Sequence, residues 1–311
     1  MKDYLLELAD FVYGRIAENK DVLVNRAVHK LVADGDAQFN IDEQAESAVL
    51  EFVQARGEPI AVFMEAKGLM EFGKNPEHML IIDPIDGTRP NAAGLEMSCF
   101  SVALAPFKPG ATLGDIEFAL LRELKSGAWV FGAAGDSELE YSGFDAKLPN
   151  LSSVVNPENM FWCIEFNGTP IRHSSRIWGA LSDLSSNTGG VFVFNSITYS
   201  LLSIIAGRLD AYMDMGNLIL KRYPELESDF RAIGAGNILH LFPYDIAACV
   251  FLAKKAGVVV TDGRGESMDG TLLTDMSPAN QQSCLAASTP ELHEKLLAAI
   301  TENLEAMKEE L

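Results

Sequence analysis

The sequence predicts an α+β / α/β layered sandwich, in which an antiparallel meander sheet and a second mixed α/β half alternate layers of helix and sheet. Three observations predict it. Apolar residues recur at helical spacing near the N-terminus, at Leu5, Leu8, Phe11, Val12 and Ile16. Between residues 97 and 141, four short apolar runs are separated by Gly and Pro, the pattern of an antiparallel meander. After residue 160, strand-like and helix-like stretches alternate, which requires a second sheet covered by helices.

Composition sets the frame. The 311 residues are 48% hydrophobic, enough for one large domain or two subdomains sharing a cleft. The stretch Phe144-Asp145-Ala146-Lys147-Leu148-Pro149-Asn150 has neither helical nor strand periodicity, and we expect the division there, into residues 1–148 and 149–311. A formal charge of −20 excludes nucleic acid and anionic membrane as partners, since both require concentrated Lys and Arg. No apolar run reaches membrane-spanning length, and Met1-Lys2-Asp3-Tyr4-Leu5-Leu6-Glu7 lacks the basic-then-apolar order of a signal peptide, so a cytoplasmic protein is expected. Cys99, Cys163, Cys249 and Cys284 lie far apart in apolar segments and read as buried free thiols. The five histidines are scattered and read as surface or packing residues.

In chain order, residues 4 to about 33 read as one or two amphipathic helices. Asp42 can cap a helix whose apolar face is Ala48, Val49, Phe52 and Val53. Glu58-Pro59 opens a strand over 60–64 that runs into Glu65. A second strand, over 80–82, breaks into Asp83-Pro84-Ile85-Asp86-Gly87-Thr88, because Pro84 cannot continue a ladder and Asp-Gly favours a turn. With the meander strands 97–105, 115–121, 128–133 and 138–141, this makes a first sheet of roughly six strands. The second half reads as strand 160–165, helix 170–184, strand 191–194, helix 196–206, strand 209–213, a helix opened by Asp245 that runs to Ala256-Gly257, strand 284–287 and helix 290–304.

The chemistry concentrates at residues 83–88. Two ionised carboxylates at one chain reversal repel each other and raise each other's pKa unless a cation lies between them, and hard oxygen ligands suit Mg²⁺ or Mn²⁺. Gly87 and Thr88 expose backbone N–H groups ahead of Pro90, a residue suited to the first turn of a helix, and such an N-terminus attracts phosphate. Taken alone, the same residues also read as an ordinary strand-to-loop turn.

The hexapeptide Asp83-Pro84-Ile85-Asp86-Gly87-Thr88 closely resembles the metal-binding signature of the inositol monophosphatase-like family of magnesium-dependent phosphatases, within the inositol monophosphatase / fructose-1,6-bisphosphatase superfamily. The resemblance extends over nearly the whole chain. Asp42 precedes Ala45 and Glu46 as in the family's acidic segment, and Met64-Glu65-Ala66 stands where the family has Gly-Glu-Glu. Ser196 lies in the counterpart of the Gly-Ser-Ala-Ala motif, ahead of Asp210-Ala211-Tyr212, and Tyr244-Asp245-Ile246-Ala247-Ala248 matches Trp-Asp-x-Ala-Ala.

This resemblance implies a site. Glu65, Asp83, the Ile85 backbone carbonyl, Asp86 and Asp245 would ligate two or three Mg²⁺ ions, or Mn²⁺ in their place. Glu65 and Thr88 would orient or deprotonate the attacking water, with Asp42 supporting Thr88. Phosphate and substrate contacts would come from Asp86, Gly87, Thr88, Arg89, Ser196 and Asp214, although a cap at the start of its helix explains Ser196 equally well. The implied reaction is hydrolysis of a small phosphate monoester, inositol monophosphate or a related sugar phosphate, by a metal-activated water in a homodimeric enzyme. Fructose-1,6-bisphosphatase and nucleotide 3′-phosphatase are the alternatives, and a non-catalytic metal- or phosphate-binding protein is the reading from another class. Four departures bear on the choice: Ala66, Arg89-Pro90 where the family continues Thr-Asn, the shorter acid Asp214 where inositol-specific members carry Glu, and an inserted segment over 217–241. Arg172, Arg176 or Arg231 lining the cleft would favour the bisphosphate.

Overall fold

The computed structural model describes residues 1–18, 28–31, 37–95 and 97–309. Its axis is β5 (His78–Asp86), buried along almost its whole length, as expected of a strand covered on both faces. Around it a seven-stranded sheet runs in the order β4-β3-β5-β6-β7-β8-β9. Its other strands are β3 (Ile60–Met64), β4 (Gly68–Phe72), β6 (Cys99–Pro106), β7 (Phe118–Glu123), β8 (Trp129–Ala133) and β9 (Glu140–Ser142). Every pairing is antiparallel except β3 with β5. The second sheet, in the order β11-β10-β12-β14-β13, joins β10 (Phe161–Glu165), β11 (Gly190–Phe192), β12 (Ala211–Asp214), β13 (Val259–Thr261) and β14 (Cys284–Ala287). Here β10 runs parallel to β11 and β12, while β14 is antiparallel to both of its neighbours.

Helices fill the spaces between and outside the sheets. Helices α1 (Lys2–Glu18) and α2 (Asn40–Arg56) cover one face of the first sheet through Leu5, Leu8, Val12, Val49 and Val53. Helix α3 (Thr88–Ala92) is a single short turn after β5. The outer face of the second sheet carries α4 (Ile171–Ser185), α6 (Gly216–Arg222), α7 (Glu227–Ile233) and α9 (Pro290–Ala306). Between the sheets lie α5 (Ile197–Ile205) and α8 (Pro243–Lys255), whose Leu201, Ile204, Ala248 and Leu252 share one buried cluster with residues of both sheets. The result is five alternating layers, the predicted fold class. A short hairpin of β1 (Val28–Leu31) and β2 (Ala37–Phe39) precedes α2.

Several expectations need correction. The N-terminal helix ends at Glu18 and residues 28–31 form a strand; the rest of the predicted helical stretch, 19–27 and 32–33, lies outside the described residues. Asp42 does not cap its helix, because α2 already begins at Asn40 and places Asp42 in the first turn. β5 does not end before Pro84 but continues to Asp86, with an irregularity against β6 between Asp83 and Asp86, where a bulge excuses proline from the ladder. Besides the β1–β2 hairpin, two strands were not expected: β4, which gives the first sheet its seventh strand, and the three-residue β13. The inserted segment folds as α6, a 3-10 turn and α7, anchored by Tyr223, Leu226 and Phe230 in the outer core. All four cysteines are free and buried, as expected.

Trp162 is the largest fully buried side chain, and its Nε1 donates to Ser185 Oγ at 3.0 Å. Trp162→Ala leaves a cavity and removes this hydrogen bond, so chemical denaturation is expected to show a loss of ~3–5 kcal/mol. A loss under ~1 kcal/mol would contradict the packing described.

Candidate active site

The parallel pairing of β3 and β5 sets Met64 opposite Ile82, so Glu65, just past the end of β3, and Asp83, within β5, follow side by side. The bulge then brings Ile85 and Asp86 to the same rim. Asp245 arrives from the first turn of α8, where its Oδ2 accepts the Phe242 N–H at 2.7 Å. Glu65, Asp83, Ile85, Asp86, Gly87, Thr88, Arg89, Ser196, Asp214 and Asp245 all line one open cleft. Asp42 stands behind it, accepting the Thr88 hydroxyl at 2.9 Å.

The electrostatics are dominated by buried acids. Burial, followed by the charges of Asp86, Asp245 and Asp42, holds the Asp83 carboxyl well above the ordinary range. Asp86 is also raised by burial, opposed by hydrogen bonds from Thr198 and Ser196. Its Oδ2 accepts the Ser196 hydroxyl at 2.7 Å and the Thr198 N–H at 2.6 Å. Ser196 is the N-cap of α5, accepting the Tyr199 N–H at 3.1 Å. Its hydroxyl proton goes to Asp86, so Ser196 ties β5 to α5, and its bonds account for it without a substrate contact.

Among the described residues, no three Asp, Glu, His or Cys side chains close on one point as a metal cage. Repulsion between like charges opposes such closure, and Asp83, Asp86 and Asp245 instead accept protein hydrogen bonds. The donor set nonetheless fits a hard divalent cation. Four carboxylates and one carbonyl are oxygen ligands of the kind Mg²⁺ takes, and raised carboxyls are what such a charge would relieve.

Gly87 joins β5 to α3 with φ 92°, and a Cβ there would stand 2.5 Å from the Met97 carbonyl oxygen. The close approach and the left-handed backbone explain why glycine follows Asp86.

The opposite wall was largely missed from the sequence. Glu165 ends β10 beside Asp214 at the end of β12. Burial, followed by the charge of Asp214, pushes Glu165 up to about 8, and burial pushes Asp214 up to about 7. Tyr212, His240, Asn167 and Asn195 also line this side. His240 packs edge-on against Phe230 and also lines the cleft, and burial lowers its imidazole to about 3, leaving it neutral. Glu165 carries the signal used for Glu65 and Asp83, an acid closing an apolar run, here Phe161-Trp162-Cys163-Ile164. Arg172, Arg176 and Arg231 do not line the cleft. Arg172 pairs with Asp229 at 2.6 Å, and Arg231 with Glu227 at 2.6 Å.

A model of the inositol monophosphatase family matches residues 17–305. A fructose-1,6-bisphosphatase/inositol-1-monophosphatase of Methanothermobacter thermautotrophicus is 24% identical over 95% of this chain and 99% of that protein. An inositol-1-monophosphatase of Synechocystis is 23% identical over 85% of this chain and 82% of its own length. The crystal structure of the extragenic suppressor protein suhB from Bartonella henselae superimposes with a TM-score of 0.70 at 18% identity, covering 96% of this chain and 97% of that one.

Proposed function

The chain belongs to the inositol monophosphatase family, and we propose that it is a magnesium-dependent phosphatase that hydrolyses a small phosphate monoester. The observation that carries this reading is the convergence of Glu65, Asp83, Ile85, Asp86 and Asp245 on one cleft beside Gly87 and Thr88. Glu65, Asp83, the Ile85 carbonyl, Asp86 and Asp245 would hold the Mg²⁺ ions. Bound there, Mg²⁺ would supply a lowered pKa for water and charge stabilisation for the leaving oxygen.

The chain's own groups do the rest. Thr88 donates its only hydroxyl proton inside the protein, toward Asp42 at 2.9 Å or the Ile85 carbonyl at 3.0 Å. Its oxygen can then only accept, and the attacking water donates to it. Glu65 lines the same wall and takes the second proton as general base. The backbone amides of Gly87 and Thr88 and the Arg89 guanidinium hold the phosphoryl oxygens in line.

Inositol monophosphate or a related sugar monophosphate fits the family. A bisphosphate is disfavoured, because among the described residues lining the cleft Arg89 is the sole Lys or Arg against six carboxylates, Glu65, Asp83, Asp86, Glu165, Asp214 and Asp245. A homodimer is the expected assembly, supported by Phe161, Phe192 and Val193, which remain exposed beside the free edge of the second sheet. Among the described residues, no helix is long and apolar enough to cross a membrane.

The deciding experiment is phosphate release from inositol, sugar and nucleotide monophosphates after chelation, with and without added Mg²⁺. Chelation is expected to lower the rate by ~10³-fold or more, and Mg²⁺ to restore it. Turnover that persists unchanged in the chelated protein would overturn the metal requirement, and no turnover on any ester would favour a binding protein.

A further inference from the structure

The far wall of the cleft carries a polar array that phosphate hydrolysis leaves unused. The register of β10 and β12 places Glu165 beside Asp214. Tyr212, two residues earlier on β12, projects from the same face. His240 arrives from the inserted segment and packs against Gly216, where a Cβ would lie 2.8 Å from Nδ1. All four line the cleft and are nearly buried, at 6% exposure for Glu165, 5% for Asp214, 0% for Tyr212 and 7% for His240.

Their hydrogen bonds are incomplete. Glu165 Oε1 accepts the Ser196 N–H at 3.2 Å, and Asp214 Oδ1 accepts the Gly216 N–H at 3.2 Å. Glu165 Oε2, Tyr212 Oη and both ring nitrogens of His240 have no hydrogen-bond partner among the described residues. Buried polar atoms are almost always satisfied, so a cluster of orphans facing a cleft marks something that fills it. Among the described residues, neither carboxylate forms an ion pair. Burial and the Lys221 charge hold His240 neutral, and Arg89 lines the cleft from α3.

We propose that this wall is a subsite for a protonated amine on the substrate's leaving group, with Glu165 Oε2, Asp214 and Tyr212 Oη accepting its N–H bonds. The proposal rests on the phosphatase reading above. A primary ammonium brings three donors and one positive charge, which favours the ionised forms of Glu165 and Asp214 and so makes both of them full acceptors beside Tyr212 Oη. A hydroxyl would bring one donor and no charge. A second phosphate would face two carboxylates at close range, which repel it. A bare metal ion is a poorer fit, because hard cations require six or more oxygens and this wall offers two carboxylates, against four carboxylates and a carbonyl across the cleft. Glu165 and Asp214 are thus the specificity-determining pair, acting on the leaving group while the acids across the cleft serve the phosphate.

The test is calorimetry on the Mg²⁺-loaded protein with non-hydrolysable ω-aminoalkyl phosphonates of two to five carbons, each compared with its ω-hydroxyalkyl counterpart. At the chain length that spans the cleft, the amine is expected to bind about tenfold tighter or more, the range of a charged hydrogen bond. Glu165→Gln and Asp214→Asn, each checked for folding by its thermal melt, are expected to reduce that ratio to about threefold or less. Equal or weaker binding of the amine at every length in the wild type would overturn the subsite, whatever the variants do. So would a preference that survives both substitutions. Because calorimetry reads binding without turnover, an absent amine preference in an active phosphatase is separable from a protein that hydrolyses no ester.

Discussion

Asp83→Asn is expected to lower kcat by ~10³-fold or more, about 4 kcal/mol of transition-state stabilisation, while raising the melting temperature of the metal-free protein. Both follow from the same position. Asp83 is buried beside Asp86, Asp245 and Asp42, and its carboxyl is held well above the ordinary range. A group whose folded pKa is raised contributes stability that is full below the unfolded pKa, about 4, and is lost as the pH rises through the folded value. The metal-free wild type therefore loses stability on going from acid to neutral pH, and the neutral Asn does not. The amide oxygen of Asn can still accept the Ile85 N–H that Asp83 Oδ1 receives at 3.0 Å, so the local backbone is retained. The excess stability of the variant is expected to shrink as the pH falls toward 4, and Mg²⁺ should raise the melting temperature of the wild type but not of Asp83→Asn. Phosphate release and thermal melts with and without Mg²⁺ check all of this. A variant that melts lower than the wild type at neutral pH, or keeps full activity, contradicts the account.

Gly87→Ala is expected to lower kcat/KM by ~10²-fold, the order of loss that follows an ångström-scale displacement of a positioned group. The added Cβ would lie 2.5 Å from the Met97 carbonyl oxygen, 3.0 Å from Ser196 Cβ and 3.1 Å from Ser98 Cα. Two of these are backbone atoms of the neighbouring strand entry and cannot swing aside, so the Asp86–Thr88 backbone must move. Left-handed strain adds ~1–2 kcal/mol. Gly94→Ala separates the two effects, because Gly94 has φ 79° with nothing within 4 Å of its Cβ position. That control should lose stability through strain and keep its activity. Equal activity losses at both positions would mean that the contact at Met97 does not matter.

Much of the fold was legible because its signals are local. Apolar runs closed by an acid located Glu65 and Asp83, since a buried strand must end where its charge can reach a cleft. The four meander strands were legible from the Gly and Pro between them. What failed depended on tertiary context. Pro84 reads as a strand end, yet β5 continues through it because a bulge removes the ladder bond that proline lacks. Residues 28–31 read as helix from the apolar spacing around them, yet pair with 37–39 as a hairpin. The far wall was hidden for a related reason. His240 has no motif around it, and its place in the cleft depends on how α6 and α7 pack around Tyr223 and Phe230. Glu165 was detectable by the rule that found Glu65, but without the β10 to β12 register nothing in the sequence says that it meets Asp214.

The central claim, that this acid cleft holds the metal of a phosphatase, is tested most directly by a crystal structure of the protein soaked in Mn²⁺, read by anomalous scattering. The account predicts Mn²⁺ peaks ligated by Glu65, Asp83, the Ile85 carbonyl, Asp86 and Asp245. An anomalous map with no peak in this cleft at millimolar Mn²⁺, or with peaks only on acids outside it, would contradict the account.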